Sequence, residues 1–116
     1  MNFGPLPSVD AAAVPSEGFV LDVREDDEWA AGHVEGALHI PMSDFVARFG
    51  ELTEAVEDGR RVHVMCRVGG RSAQVTQYLV RQGIDAVNVD GGMQAWDGAG
   101  RPMVTDEGNP GPAYVL

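Results

Sequence analysis

The chain has 116 residues, 44% hydrophobic and 22% charged, which is enough for one globular core and too little for two. Eighteen acidic against eight basic residues leave a net charge of −10, the wrong sign for a nucleic-acid binder or a polybasic membrane reader. All eight basic residues are arginines, so lysine Schiff-base chemistry and a P-loop are excluded. In chain order, Ser8–Ala13 reads as a short N-capped helix stopped before Pro15. Phe19–Val23 is a compact apolar run, as expected of a buried strand. Glu25–Ala31 is an acidic-led helical turn closed by Gly32, and Ala37–Ile40 is a short strand ending at Pro41. Ser43 is placed to cap Phe45–Phe49, with Glu51–Glu57 as the next helix. Arg61–Met65 is the second strong strand, and Cys66 ends it. Ser72 is then expected to cap a helix of about three turns, with Ala73, Thr76, Leu79 and Val80 facing inward and Gly83 as its stop. Ala86–Val89 is a third strand, and Gly91-Gly92 turns the chain into Met93–Ala95. Strands alternating with helices predict an α/β fold, a mostly parallel central sheet flanked by helices. Ligands bind beyond the carboxyl ends of such strands, which is where Cys66 falls.

No apolar run exceeds four residues, which excludes a membrane-spanning helix, and no signal peptide is legible. Cys66 is the only cysteine, so an intrachain disulfide and a multi-cysteine zinc site are excluded, and a reducing cytoplasm is the expected location.

The segment Cys66-Arg67-Val68-Gly69-Gly70-Arg71-Ser72 carries the chemistry. Its strand delivers the sulfur to a sheet edge. Gly69 and Gly70 then permit backbone angles that turn successive N–H groups inward. Those donors, the positive end of the following helix, and Arg67 and Arg71 together favour an anion at the centre. The same field favours thiolate over thiol, making Cys66 a nucleophile. The loop predicts an activated cysteine inside an anion-binding cradle.

This loop resembles the active-site loop of the rhodanese family, sulfurtransferases that carry sulfur as a cysteine persulfide. Leu21-Asp-Val-Arg24, Glu28-Trp29, Gly32-His33-Val-Glu-Gly36-Ala37 and Ile40-Pro41 resemble that family's N-terminal signature. Gly91-Gly92-Met93, Ala95-Trp96 and Gly100-Arg-Pro102 resemble its C-terminal one. The likeness spans about residues 8–103 of a single domain, 1–116, and leaves 104–116 as an extension. His39 stands where the family often has Asn. The resemblance implies a parallel sheet flanked by helices and sulfur transfer through a Cys66 persulfide. Arg67 to Ser72 would bind the substrate, a small sulfur-donor anion such as thiosulfate. It implies cyanide or a thiol, a protein thiol included, as acceptor, and neither metal nor organic cofactor.

Two other functions compete. Cysteine phosphatases and arsenate reductases space Cys and Arg as C-x5-R, whereas only four residues separate Cys66 from Arg71. A non-catalytic regulatory module is the other alternative, and such family members usually lack the cysteine. His33, His39 and His63 fall at no metal-ligand spacing, and His33 is expected to bond within its own turn. Asp22 is expected to fix neighbouring loops, and Trp29 and Trp96 to pack. Ala113–Leu116 is apolar and is expected to fold back on the domain.

Overall fold

Parallel strands bury both faces, so the strands at the centre of such a sheet read as continuous apolar runs. The computed structural model describes residues 6–106 and follows that rule. Five parallel strands, β1 (Ser8–Asp10), β2 (Phe19–Asp22), β3 (Leu38–His39), β4 (Val62–Met65) and β5 (Ala86–Asp90), lie in the order β1-β5-β4-β2-β3. The helices are α1 (Asp26–Ala31), α2 (Phe45–Ala55), α3 (Gly70–Arg81) and α4 (Gly92–Gly98). All four residues of β4, the central strand, are buried.

The period-two alternation of β4 divides two cores. Val62, Val64 and Cys66 join Leu21, Ile40, Phe45, Leu52, Val75 and Leu79 beneath α2 and α3. Met65 turns to the other face with Val20, Val89, Met93 and Trp96, beneath α4. Cys66 is therefore aimed at α3 by the same alternation that packs Val62 and Val64. Among the described residues no helix is long and apolar enough to cross a membrane.

Four local expectations need correction. Ser8–Asp10 is an edge strand paired with Asn88–Asp90, and only Ala11–Ala13 coils, as a single 3-10 turn. The alternative of completing a sheet edge outweighs weak local helix preference in so short a segment. Ser43 caps nothing; its hydroxyl donates to Glu25, and Phe45–Ala55 is one continuous helix. Ser72 is not a cap either: the cap of α3 is Gly69, in the left-handed region at φ 105°, and Ser72 lies buried within the first turn. Val75 replaces Val80 on the inner face of α3, and Val80 is exposed. Residues 107–116 lie outside the described residues, and the expectation for Ala113–Leu116 falls there. The part of the extension within reach turns back on α1: Val104 forms an antiparallel bridge with His33, and Asp106 accepts a bond from Trp29 Nε1 at 3.2 Å.

Candidate active site

Cys66 directly follows the last residue of the central strand, and the loop after it folds over the sulfur. Gly69 needs its positive φ to reverse the chain, and its N–H then donates to Sγ at 3.0 Å. Gly70 has an ordinary φ and open space where a Cβ would stand, so only Gly69 of the pair uses glycine's freedom. The Ser72 hydroxyl lies 3.2 Å from Sγ on the first turn of α3. Burial of the thiol pushes its pKa up. A hydrogen bond with the Ser72 hydroxyl, and bonds from the Ser72, Gly69 and Val68 N–H groups, outweigh that, and the net position is below the ordinary thiol value. A buried cysteine held as a small apolar filler would show the first effect without the second.

The two arginines of the loop have different surroundings. Arg67 is exposed, and no ion pair holds it among the described residues. Arg71 makes a fork-to-fork pair with Glu28 of α1, Nη1 to Oε1 at 2.6 Å and Nη2 to Oε2 at 2.7 Å. That bond raises the Arg71 pKa and holds the Glu28 carboxyl below its usual value. Glu28 also closes the capping box of α1, accepting the Glu25 N–H at 3.0 Å. Val68, at the crest of the loop, is exposed.

Two further elements support the loop from below. Arg24, 1% exposed, is clamped by the Asp22 carboxylate and donates to the Glu28 and Gly32 carbonyls. It thereby ties the body and the C-cap of α1 to the sheet, and α1 carries the partner of Arg71. The role expected for Asp22 is met through this pair. On the other side the start of α4 meets the cysteine directly. Met93 N–H donates to the Cys66 carbonyl at 2.8 Å and Gln94 N–H to the Arg67 carbonyl at 3.1 Å. That approach requires Gly92: a Cβ there would press into the Cys66 carbonyl oxygen and stand 2.7 Å from the Arg67 carbonyl carbon.

Of the seven loop residues named from sequence, Val68, Gly69 and Ser72 bond to the Cys66 sulfur, Arg71 is turned to Glu28, and Arg67 is exposed. Glu28, Asn88 and Gly92 were missed as members of this assembly. Asn88 had a signal, a lone amide inside an apolar strand. Trp29 lies flat between His33 and His39, with ring centroids 3.5 and 4.4 Å away, and His33 Nδ1 bonds to the Trp29 carbonyl within its own turn. His63 bonds to the Phe19 carbonyl across the sheet. These contacts give the three histidines structural occupations.

Comparison with known proteins agrees with this geometry. The Rhodanese-like domain family matches residues 9–99. A Bacillus subtilis protein named "Putative sulfurtransferase YtwF" is 42% identical over 86 residues, 74% of this chain and 80% of that one. A rhodanese-related protein from Thermoplasma volcanium superposes with TM-score 0.77 at 31% identity, over 86% of this chain and 99% of the other. Thiosulfate sulfurtransferase from Pseudomonas aeruginosa superposes with TM-score 0.75 at 28% identity, over 92% of this chain and 22% of that one. The fold, the order of the motifs and these likenesses agree: the chain belongs to the rhodanese-like domain family.

Proposed function

We propose that the protein is a sulfurtransferase that works by double displacement through Cys66. The observation that carries this reading is a sole cysteine whose sulfur sits under the Gly69 N–H and the Ser72 hydroxyl at the start of α3. In the first half-reaction the Cys66 thiolate attacks the outer sulfur of an anionic donor such as thiosulfate. A sulfur–sulfur bond forms to Cys66, the donor's own sulfur–sulfur bond breaks, and its electron pair leaves on sulfite. In the second, cyanide or a thiol attacks the terminal sulfur, and the pair returns to Cys66 as thiolate. No redox partner, metal or organic cofactor is required for either step.

The inward N–H groups of Val68, Gly69 and Ser72 would stabilise the negative terminal sulfur of the persulfide. Arg67, exposed and outside any ion pair among the described residues, is the cation available to the incoming donor. Arg71 serves mainly to hold the loop, because Glu28 takes both ends of its guanidinium fork. The name borne by the Bacillus subtilis relative supports sulfur transfer, and that of the Pseudomonas aeruginosa structure supports thiosulfate as a donor.

Intact-mass analysis after treatment with thiosulfate tests the reading. One added sulfur should appear, cyanide should remove it, and Cys66→Ser should show neither the adduct nor thiocyanate formation. Appreciable turnover by that variant would end the persulfide mechanism.

A further inference from the structure

Asn88 is 4% exposed in the middle of β5, in register with Val64 and on the face that meets α3. Its carboxamide has two partners. Oδ1 accepts from the Ser72 hydroxyl at 2.5 Å, and Nδ2 donates to the Gly69 carbonyl at 3.3 Å. The second contact decides the first. A carbonyl oxygen can only accept, so Nδ2 faces Gly69, Oδ1 faces Ser72, and the hydroxyl must be the donor between them. Ser72 has one hydroxyl proton, and in this arrangement Asn88 holds it. The hydroxyl oxygen, 3.2 Å from Sγ, then offers the sulfur lone pairs. That suits a thiol, whose S–H donates to the oxygen. A thiolate needs the reverse, with the hydroxyl proton turned to sulfur and the buried Oδ1 left without it.

We propose that Asn88 is a positioning residue that sets how readily Cys66 ionises, by competing with the sulfur for the single hydroxyl proton of Ser72. When Cys66 ionises, the S–H bond breaks with its electron pair kept on sulfur, and the proton passes to water or a buffer base. The Ser72 O–H then rotates from Oδ1 to Sγ, and nothing is oxidised or reduced. The charged groups around Cys66 are few. Arg71 of α3 feels the sulfur but is paired with Glu28 of α1, and Arg67 adjoins it in the loop. On β2, Asp22 is occupied by Arg24, and α4 contributes only backbone N–H groups to the cysteine loop. The proton competition is therefore the adjustable contact nearest the sulfur. The Gly69 carbonyl keeps a second donor, the Ala73 N–H at 3.2 Å, so replacing Asn88 does not orphan the loop.

The proposal rests on Cys66 being the reacting thiolate, but its test reads ionisation rather than sulfur transfer. The pH midpoint of iodoacetamide alkylation is measured for the native protein, Asn88→Leu, Ser72→Ala and the double variant. Asn88→Leu should lower the midpoint by about one unit, the scale of one neutral hydrogen bond. Ser72→Ala should raise it, and adding Asn88→Leu in that background should move it no further. An unchanged or raised midpoint in folded Asn88→Leu, or a drop of the same size without the Ser72 hydroxyl, overturns the proposal. Should the leucine variant not fold, the native protein still decides by NMR. The Asn88 carboxamide resonances should titrate with the midpoint of Cys66, and resonances that stay fixed overturn the coupling. Sulfur transfer that fails while the midpoints shift as expected refutes only the proposed function; intact transfer with unmoved midpoints refutes only the role of Asn88.

Discussion

Glu28 shows how much one carboxylate can hold together: its Oε1 and Oε2 receive Arg71, and Oε1 also receives the N–H of Glu25. The bond from Arg71 depresses its pKa in the folded state. A depressed carboxyl stabilises the fold at pH values above its unfolded pKa, about 4.3, and that contribution is lost as pH falls through the lowered folded value. Acid should therefore loosen the clasp on the cysteine loop as this carboxyl protonates. Glu28→Gln should flatten the dependence of the urea midpoint on pH below about 4.3, while a native-like slope in that variant would count against the clasp. Arg67 differs in being exposed and free of any described ion pair. Arg67→Ala should leave the melting temperature unchanged and raise the donor KM about three- to tenfold, the scale of one charged contact. Steady-state kinetics at fixed salt would show it, and an unmoved KM would mean that backbone N–H groups alone bind the donor.

At the level of elements, the site is a junction of β4, α3 and α4, with α1 as its outer brace. Gly92 is the tightest point, because α4 docks on the carbonyls of Cys66 and Arg67. Gly92→Ala should cost roughly 1–3 kcal/mol, from backbone strain at φ 55° and from displacement of the loop. It should also slow alkylation of Cys66. Thermal melts and iodoacetamide kinetics together would test this, and an alanine variant normal in both would remove α4 from the assembly. The short apolar runs around Val20, Val64 and Val87 made the three main strands legible in the sequence, and the glycine-turned loop made the cysteine cradle so. The edge strand at Ser8–Asp10 was not legible, because three residues gain their conformation from pairing with β5 and not from local preference. Glu28 was hidden for a related reason: an acidic residue in a first helical turn already has a local explanation, and its bond to Arg71 spans 43 positions. Ser72 was assigned the wrong task because a serine near a helix start suggests a cap, whereas burial against Cys66 and Asn88 fixed its hydroxyl elsewhere.

Across the whole molecule, a charge of −10 opposes the approach of a small anion, and Arg67 opposes that field locally. Salt weakens both, with a screening length of about 10 Å at 0.1 M ionic strength. The nearer charge governs, so the donor KM should rise with ionic strength, checked with salts of different anions to separate screening from competition. A falling KM would give the acidic surface the larger share. The sheet order has a separate consequence, for the way the molecule opens. β4 is central and buried along its length, while β1 has exposed ends and β3 is two residues long. Amides of β4 should therefore exchange with deuterium only through global opening, and those of β1 and β3 through local fraying. The fluctuations that loosen the sheet at its edges would then leave the strand that leads into Cys66 closed. Fraying at the edges would therefore leave the setting of the sulfur intact, so the alkylation rate of Cys66 at fixed pH should hold steady through mild urea and change only in the global unfolding transition.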